Sequence, residues 1–92
     1  MKLSAQVRST HSQDGAVVLD ILRGQMYRLN FVGSRMLELL KDGRTAAQIA
    51  DELSQEFGVA HDAVATDLQE FLVHLRKHHL VETREAENLS NI

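Results

Sequence analysis

Cysteine, proline and tryptophan are absent from this chain of 92 residues, and aromatic side chains make up only 4% of it. Without cysteine there is no disulfide framework and no thiolate metal site, which is typical of cytoplasmic proteins. Without proline, no rigid linker divides the chain. Residues 1–8 lack the apolar run of a signal peptide, and no stretch approaches the roughly 20 apolar residues of a membrane span. The sequence therefore predicts a cytoplasmic protein with no membrane partner.

An excess of positive charge is also lacking, since the formal net charge is −3 at pH 7. Nucleic-acid binding needs clustered Lys and Arg, so we expect no nucleic-acid partner. Hydrophobic residues at 43% and charged residues at 25% are typical of a folded chain, and this length allows one modest core. We expect one domain over residues 1–83 and a frayed polar tail over residues 84–92.

Residues 15–30 predict a β-hairpin ahead of an otherwise helical chain. A two-residue loop, Arg23-Gly24, would mix apolar and charged side chains on both faces of the hairpin. A three-residue loop, Leu22-Arg23-Gly24, gives one apolar face, and this is the register we expect. It places Val17, Leu19, Tyr27 and Leu29 on the apolar face and Val18, Asp20, Met26 and Arg28 on the mixed face.

A weakly alternating segment, residues 3–10, supplies a first strand that pairs with residues 17–21. The sheet is then a three-stranded antiparallel meander in which residues 25–29 form an edge strand. The outer N–H and C=O groups of an edge strand have no partner. Such an edge accepts an extended peptide by strand addition, and it also allows two copies of the chain to pair as a homodimer.

Three helices follow, and local signals mark their ends. Asn30 is a good N-cap for the first helix, and Asp42-Gly43 ends it. Thr45 and Gln48 form a capping box for the second helix, which Gly58 stops. The third helix covers residues 61–79, and residues 80–83 add a short return strand. Apolar positions at helical spacing are Val32, Met36, Leu37 and Leu40, then Ile49, Leu53 and Phe57, then Val64, Leu68, Phe71, Leu72 and Leu75. The predicted fold class is α+β, a winged-helix-like domain with a three-stranded antiparallel sheet packed on three helices.

The winged-helix-like order makes DNA binding the first alternative function. However, Asp62, Asp67 and Glu70 on the third helix would then face the phosphates, which argues against it. His74 and His78 have the i, i+4 spacing of a metal-binding pair, but a third ligand such as Glu82 would have to come from beyond the helix end, so we interpret them as solvated histidines near a helix C-terminus. The sequence has no nucleophile–base pair, so we predict no catalytic site, no metal and no cofactor.

Residues in a fixed order along the chain resemble a known family. They are Leu19-Asp20, Gly24, Tyr27-Arg28-Leu29-Asn30, Gly33, Leu39-Leu40, Asp42-Gly43-Arg44-Thr45, Ile49-Ala50, Leu53, Phe57-Gly58-Val59, Asp67, Leu75 and Leu80-Val81. Over residues 15–82 their order and spacing resemble the PqqD-like proteins, the recognition elements for precursors of ribosomally made, modified peptides (RiPPs). The resemblance implies a non-catalytic domain that binds the leader segment of a precursor peptide as a fourth strand.

Carried onto this chain, the resemblance implies a docking strand and a groove wall on the third helix. The candidate peptide-binding residues are Gln25, Met26, Tyr27, Arg28 and Leu29 on the strand, with Val64, Asp67, Leu68, Phe71 and Leu75 on the wall. The segment before the first helix departs from the founding pyrroloquinoline quinone type and is similar to standalone versions in lasso-peptide clusters. Those hand the precursor to a separate leader peptidase of the transglutaminase-like type. The alternative within the family is a chaperone for a radical-SAM peptide-modifying enzyme.

Overall fold

The computed structural model describes residues 2–82, in which three strands precede three helices. The elements are β1 (Val7–His11), β2 (Gly15–Asp20), β3 (Gln25–Asn30), α1 (Phe31–Lys41), α2 (Ala46–Phe57) and α3 (His61–Lys77). The sheet is antiparallel with the strand order β1-β2-β3. The predicted α+β architecture is therefore confirmed, with β3 at an edge. The predicted tail, residues 84–92, lies outside the described residues.

The register of the β2–β3 hairpin differs from the one predicted. Val18 pairs with Tyr27, and Asp20 pairs with Gln25. The loop between the strands is therefore residues 21–24, one residue longer than expected. Because side chains alternate along a strand, a shift of one residue turns every side chain of β2 to the opposite face.

The inner face of β2 consequently carries different residues from those predicted. Val18 is fully buried, whereas Leu19 is 41% exposed. The predicted apolar face, which should pack on the helices, is therefore wrong for Val17 and Leu19. Val18, predicted on the mixed face, is the residue that points inward. On β3 the prediction holds, since Tyr27 and Leu29 pack against the core.

A buried carboxylate, Asp20, explains this register. Its Oδ1 accepts a hydrogen bond from the backbone N–H of Arg23, and its Oδ2 accepts one from the Arg23 guanidinium, both at 3.1 Å. Burial acts to raise the pKa of Asp20, but these hydrogen bonds outweigh it and hold the pKa below its usual value. A charged side chain satisfied within its own turn can lie inside, where residue type alone would not place it.

The helix ends follow the predicted caps. The Asn30 side chain accepts a hydrogen bond from the backbone N–H of Gly33 at 2.8 Å. Thr45 and Gln48 form the reciprocal capping box at the start of α2, and Gly58 ends that helix in the left-handed conformation. These local signals fix where α1 and α2 begin and where the chain leaves α2.

The core lies between the inner face of the sheet and the helices. It contains Val7, Val18, Met36, Leu37, Leu39, Leu40, Ile49, Ala50, Leu53, Val64, Leu68, Leu72, Leu75, Leu80 and Val81. Val32, predicted to face inward, is instead 37% exposed, and Phe57 is half-buried. The predicted return strand is reduced, over its described part, to an isolated bridge between Val81 and Leu3.

A candidate peptide-binding groove at the sheet edge

The outer edge of β3 is open, since within residues 2–82 this strand pairs with β2 alone. Two backbone hydrogen bonds show which neighbouring strand the N–H and C=O groups of each β2 residue face. The N–H of Ser12 donates to the carbonyl of Gly15 at 2.8 Å, and the N–H of Ile21 donates to the carbonyl of Gln6 at 3.0 Å. The odd-numbered residues of β2 therefore direct their backbone groups toward β1. The even-numbered residues direct theirs toward β3, because these directions alternate along a strand.

The even-numbered positions of β2 face Gln25, Tyr27 and Leu29. The backbone groups of these three residues are consequently taken up by the β2–β3 ladder. The N–H and C=O groups of Met26 and Arg28 point away from the sheet. These two residues present the donors and acceptors that an added strand requires.

The side chains of β3 lie on two sides of the sheet. Tyr27 and Leu29 lie on the helix side, half-buried against the core, and Gln25 shares that face but is exposed. Met26, 59% exposed, and Arg28 lie on the outer face. Of the predicted strand residues, Tyr27 and Leu29 therefore line the groove with side chains, while Met26 and Arg28 offer it their backbone.

A row of four side chains on α3 and its C-cap faces this edge. Asp67, Phe71, His74 and His78 are spaced i, i+4, i+7 and i+11, which aligns them along one side of a helix. The ring centroid of His78 lies 5.1 Å from that of Tyr27. It also lies 6.4 Å from the ring of His74, to which it is parallel within 6°. Because Tyr27 belongs to β3, these contacts bring the row alongside the open edge.

The remaining predicted wall residues are core residues. Val64, Leu68 and Leu75 are buried, with Leu68 only 1% exposed. Their direct contact with a peptide stays a prediction. Phe71 is half-buried beside them, and Asp67 is exposed, with a carboxylate that makes no hydrogen bond or ion pair to any residue in the described part of the chain.

His74 and His78 also lie in this row, although sequence reasoning did not include them among the candidate wall residues. It treated them as solvated side chains near a helix end. Their spacing from Asp67 and Phe71 was the available signal, since all four fall on one side of the helix.

The two ends of the groove are set by aromatic contacts. Tyr27 and His78 meet near the start of β3 and the end of α3. Beyond the other end of β3, Phe31 packs edge-to-face against Phe57 of α2, with ring centroids 5.9 Å apart. At the start of α3, the His61 Nε2 lies 2.8 Å from a carboxylate oxygen of Asp51, which holds this end against α2. Since Phe57 ends α2 only four residues before α3 begins at His61, the start of α3 lies near the end of β3. The helix therefore runs opposite to β3 along the groove.

Over residues 2–82 no group of three or more His, Asp and Glu side chains is arranged to hold a metal ion. No helix there is long and apolar enough to cross a membrane. What the geometry brings together is an open row of backbone hydrogen-bonding groups, an apolar strip and a few polar side chains, which are the parts that hold an extended peptide.

These features define a winged-helix-like α+β domain with an accessible edge strand. The family model described as "Coenzyme PQQ synthesis protein D (PqqD)" matches residues 15–81, and the chain belongs to this family. No curated protein sequence matches the chain.

Two solved structures share the fold over nearly the whole chain. One is TbiB1 in complex with the TbiA(beta) leader peptide, which is 36% identical with a TM-score of 0.83, covering 91% of this chain and 98% of that one. The other is a lasso peptide synthetase B1 complexed with the leader peptide, which is 22% identical with a TM-score of 0.82, covering 89% of this chain and 96% of that one. At the lower identity the likeness concerns the fold alone.

Proposed function

We propose that the chain binds the leader segment of a ribosomally made precursor peptide by taking it up as a fourth strand beside β3. The observation that carries this proposal is the open backbone of Met26 and Arg28 next to the apolar strip of Tyr27, Leu29 and Phe71. It is supported by family membership and by the 36% identity to a protein solved with a leader peptide.

The energetics of strand addition suit a disordered leader. Ordering such a segment costs several kcal/mol, which the interaction must offset. Met26 and Arg28 offer about four main-chain hydrogen bonds, and burial of two or three apolar leader side chains against Tyr27, Leu29 and Phe71 adds the rest. The expected affinity is between micromolar and nanomolar.

The domain in this proposal is non-catalytic and acts by presenting the leader to a separate enzyme. In lasso-peptide biosynthesis that enzyme is a leader peptidase of the transglutaminase-like type. The outer side of the hairpin supports such a handover, because it exposes a cluster of apolar side chains away from the groove. The cluster comprises Leu19, Ile21, Leu22 and Met26, with Leu22 80% exposed at the hairpin tip. A partner docked there leaves the groove open to the leader.

A fluorescence-anisotropy titration tests leader binding. The labelled probe is the leader of the precursor encoded beside this gene, and the controls are an unrelated peptide and a DNA duplex. We expect saturable binding of the leader alone, weakened at least tenfold by Phe71→Ala because an apolar contact in the groove is lost. The matched control is Val73→Ala, since Val73 is an exposed apolar residue of α3 outside the groove row.

Two results would contradict the proposal. Absence of leader binding by the folded protein would rule out the proposed function. Binding to the duplex that weakens steeply with salt, with none to the leader, would indicate instead that the winged-helix-like fold serves DNA recognition.

A further inference from the structure

We infer that the groove selects leaders by charge order: a basic residue, then an apolar residue two positions later, then an acidic residue two positions after that. This inference rests on the proposed function and specifies the peptide that the groove fits best. It assigns the three positions to Asp67, to Phe71 and to the His74–His78 pair, respectively.

The first position follows from Asp67. Its carboxylate is exposed in the groove row and makes no hydrogen bond or ion pair with any of residues 2–82. A Lys or Arg side chain of a bound peptide supplies the missing cation, while an acidic side chain there is repelled.

The last position follows from the two histidines. Their parallel rings lie next to Tyr27, and an imidazole offers an N–H donor in either charge state. An acidic peptide side chain can accept a hydrogen bond from an imidazole in either charge state and is attracted to a protonated one, whereas a basic side chain can bond only to the acceptor nitrogen of a neutral imidazole and is repelled by a protonated one.

The spacing follows from helix and strand geometry. At a rise of 1.5 Å per residue, Phe71 lies about 6 Å from Asp67 along the helix, and the midpoint of His74 and His78 lies about 13 Å from it. An extended peptide rises about 3.3 Å per residue, so these distances correspond to about two and four residues. Both numbers are even, so all three side chains project from the same face of the added strand.

The direction follows from strand pairing. Antiparallel pairing is the more stable form, so the leader runs opposite to β3 and therefore in the same direction as α3. Its amino-terminal part then lies beside Asp67, and its carboxyl-terminal part reaches Tyr27 and His78 near the start of β3. The basic residue accordingly precedes the acidic one.

A charge scan of the leader tests this order. Each residue of the leader encoded beside the gene is replaced in turn by Lys and by Glu, and the affinity of every peptide is measured by anisotropy at low salt. We expect one position at which Lys binds about threefold or more tighter than Glu, and a position four residues later with the opposite preference. Asp67→Lys should invert the first preference, and His74→Glu should invert the second. Glu70→Lys and Lys77→Glu change charges of α3 outside the row and should leave both preferences in place.

Each other outcome overturns the inference in a recognisable way. Leader binding with no charge preference, or with the acidic position first, overturns the charge order and leaves the proposed function standing. Failure of the folded protein to bind the unmodified leader removes both. If a reversed-charge variant does not fold, Asp67→Asn and His74→Gln replace it, and the corresponding preference should then disappear rather than invert.

Discussion

Asp20 is a fully buried carboxylate at the point where the β2–β3 hairpin turns. Its pKa is held below the usual value because the hydrogen bonds from Arg23 outweigh the effect of burial. A carboxyl group whose pKa is lower in the folded state stabilises the fold above its unfolded-state pKa, about 4. That stabilisation is lost as the pH falls through the lower folded-state value.

Replacing this carboxylate should therefore have a pH-dependent effect. We expect Asp20→Asn to lower the urea midpoint of unfolding clearly at pH 7, and by a smaller amount as the pH falls below about 4 through the lowered pKa of the native carboxyl, because that carboxyl then becomes protonated as well. The matched control is Asp67→Asn, which removes an exposed carboxylate without a partner in the described part of the chain and should change the midpoint little. A loss of stability that does not shrink as the pH falls through this range would show that the charge of Asp20 is not what the turn requires.

Gly15 is the first residue of β2 and pairs with Asn30, the last residue of β3. A Cβ atom built on it would lie 2.1 Å from the backbone oxygen of Leu29, and its φ is +158°. We expect Gly15→Ala to reduce the free energy of unfolding by about 2 kcal/mol or more, since backbone rather than a flexible side chain must move. Gly24→Ala is the comparison, because Gly24 has a φ of +66° but no atom within 4 Å of the added Cβ, so only about 1 kcal/mol is expected. Equal losses in the two variants would contradict a close approach at Gly15.

At the scale of elements, β3 directs the backbone N–H and the side chain of Met26 to different places. The N–H of Met26 points to the open edge, and its side chain lies on the outer face. Met26→Pro should therefore leave the β2–β3 ladder intact while removing a donor from the docking edge. We expect the folded variant to bind the leader at least tenfold more weakly.

Met26→Ala is the matched control for this prediction, because it keeps the N–H and removes only an outward side chain. Its affinity should stay within about threefold of the unchanged protein. If the proline variant binds normally and remains folded, the leader does not pair with β3. If the alanine variant loses as much affinity as the proline variant, the Met26 side chain rather than the backbone makes the contact.

Local signals predicted some elements well and others poorly. The caps at Asn30 and Thr45 were predictable because each depends on side chains within three residues of the helix start. The hairpin register was not, because apolar periodicity favours Leu19 inside, whereas the chain buries Asp20 and satisfies it through Arg23. Whether a buried charge finds its partners is a property of the folded turn and not of a hydrophobic pattern.

The candidate site shows the same division. The open edge followed from strand order, and the structure confirms that β3 is at an edge. The apolar spacing along α3 did not distinguish core residues such as Leu68 from residues beside the groove such as Phe71. Both are apolar, and they lie about one helical turn apart. That His74 and His78 lie beside the edge strand is visible only in the structure, where the ring of His78 contacts Tyr27 and is stacked on that of His74.

At the scale of the whole molecule, the fold arranges two separate surfaces. The groove lies between β3 and α3, whereas the apolar cluster around Leu22 lies on the outer side of the hairpin. In our account the first surface holds the leader and the second meets the enzyme that acts on it. In this proposal the leader pairs with β3 on one side of the domain, and the outer side of the hairpin stays free for the second partner.

Amide hydrogen exchange of the full chain, with and without the leader peptide, tests strand addition most directly. In the free protein the amides of Tyr27 and Leu29 should exchange slowly because they bond to β2, and those of Met26 and Arg28 should exchange fast because they face the open edge. We predict that saturating leader slows exchange at Met26 and Arg28 and leaves Tyr27 and Leu29 nearly unchanged. Leader binding that leaves the amides of Met26 and Arg28 in fast exchange would contradict the account.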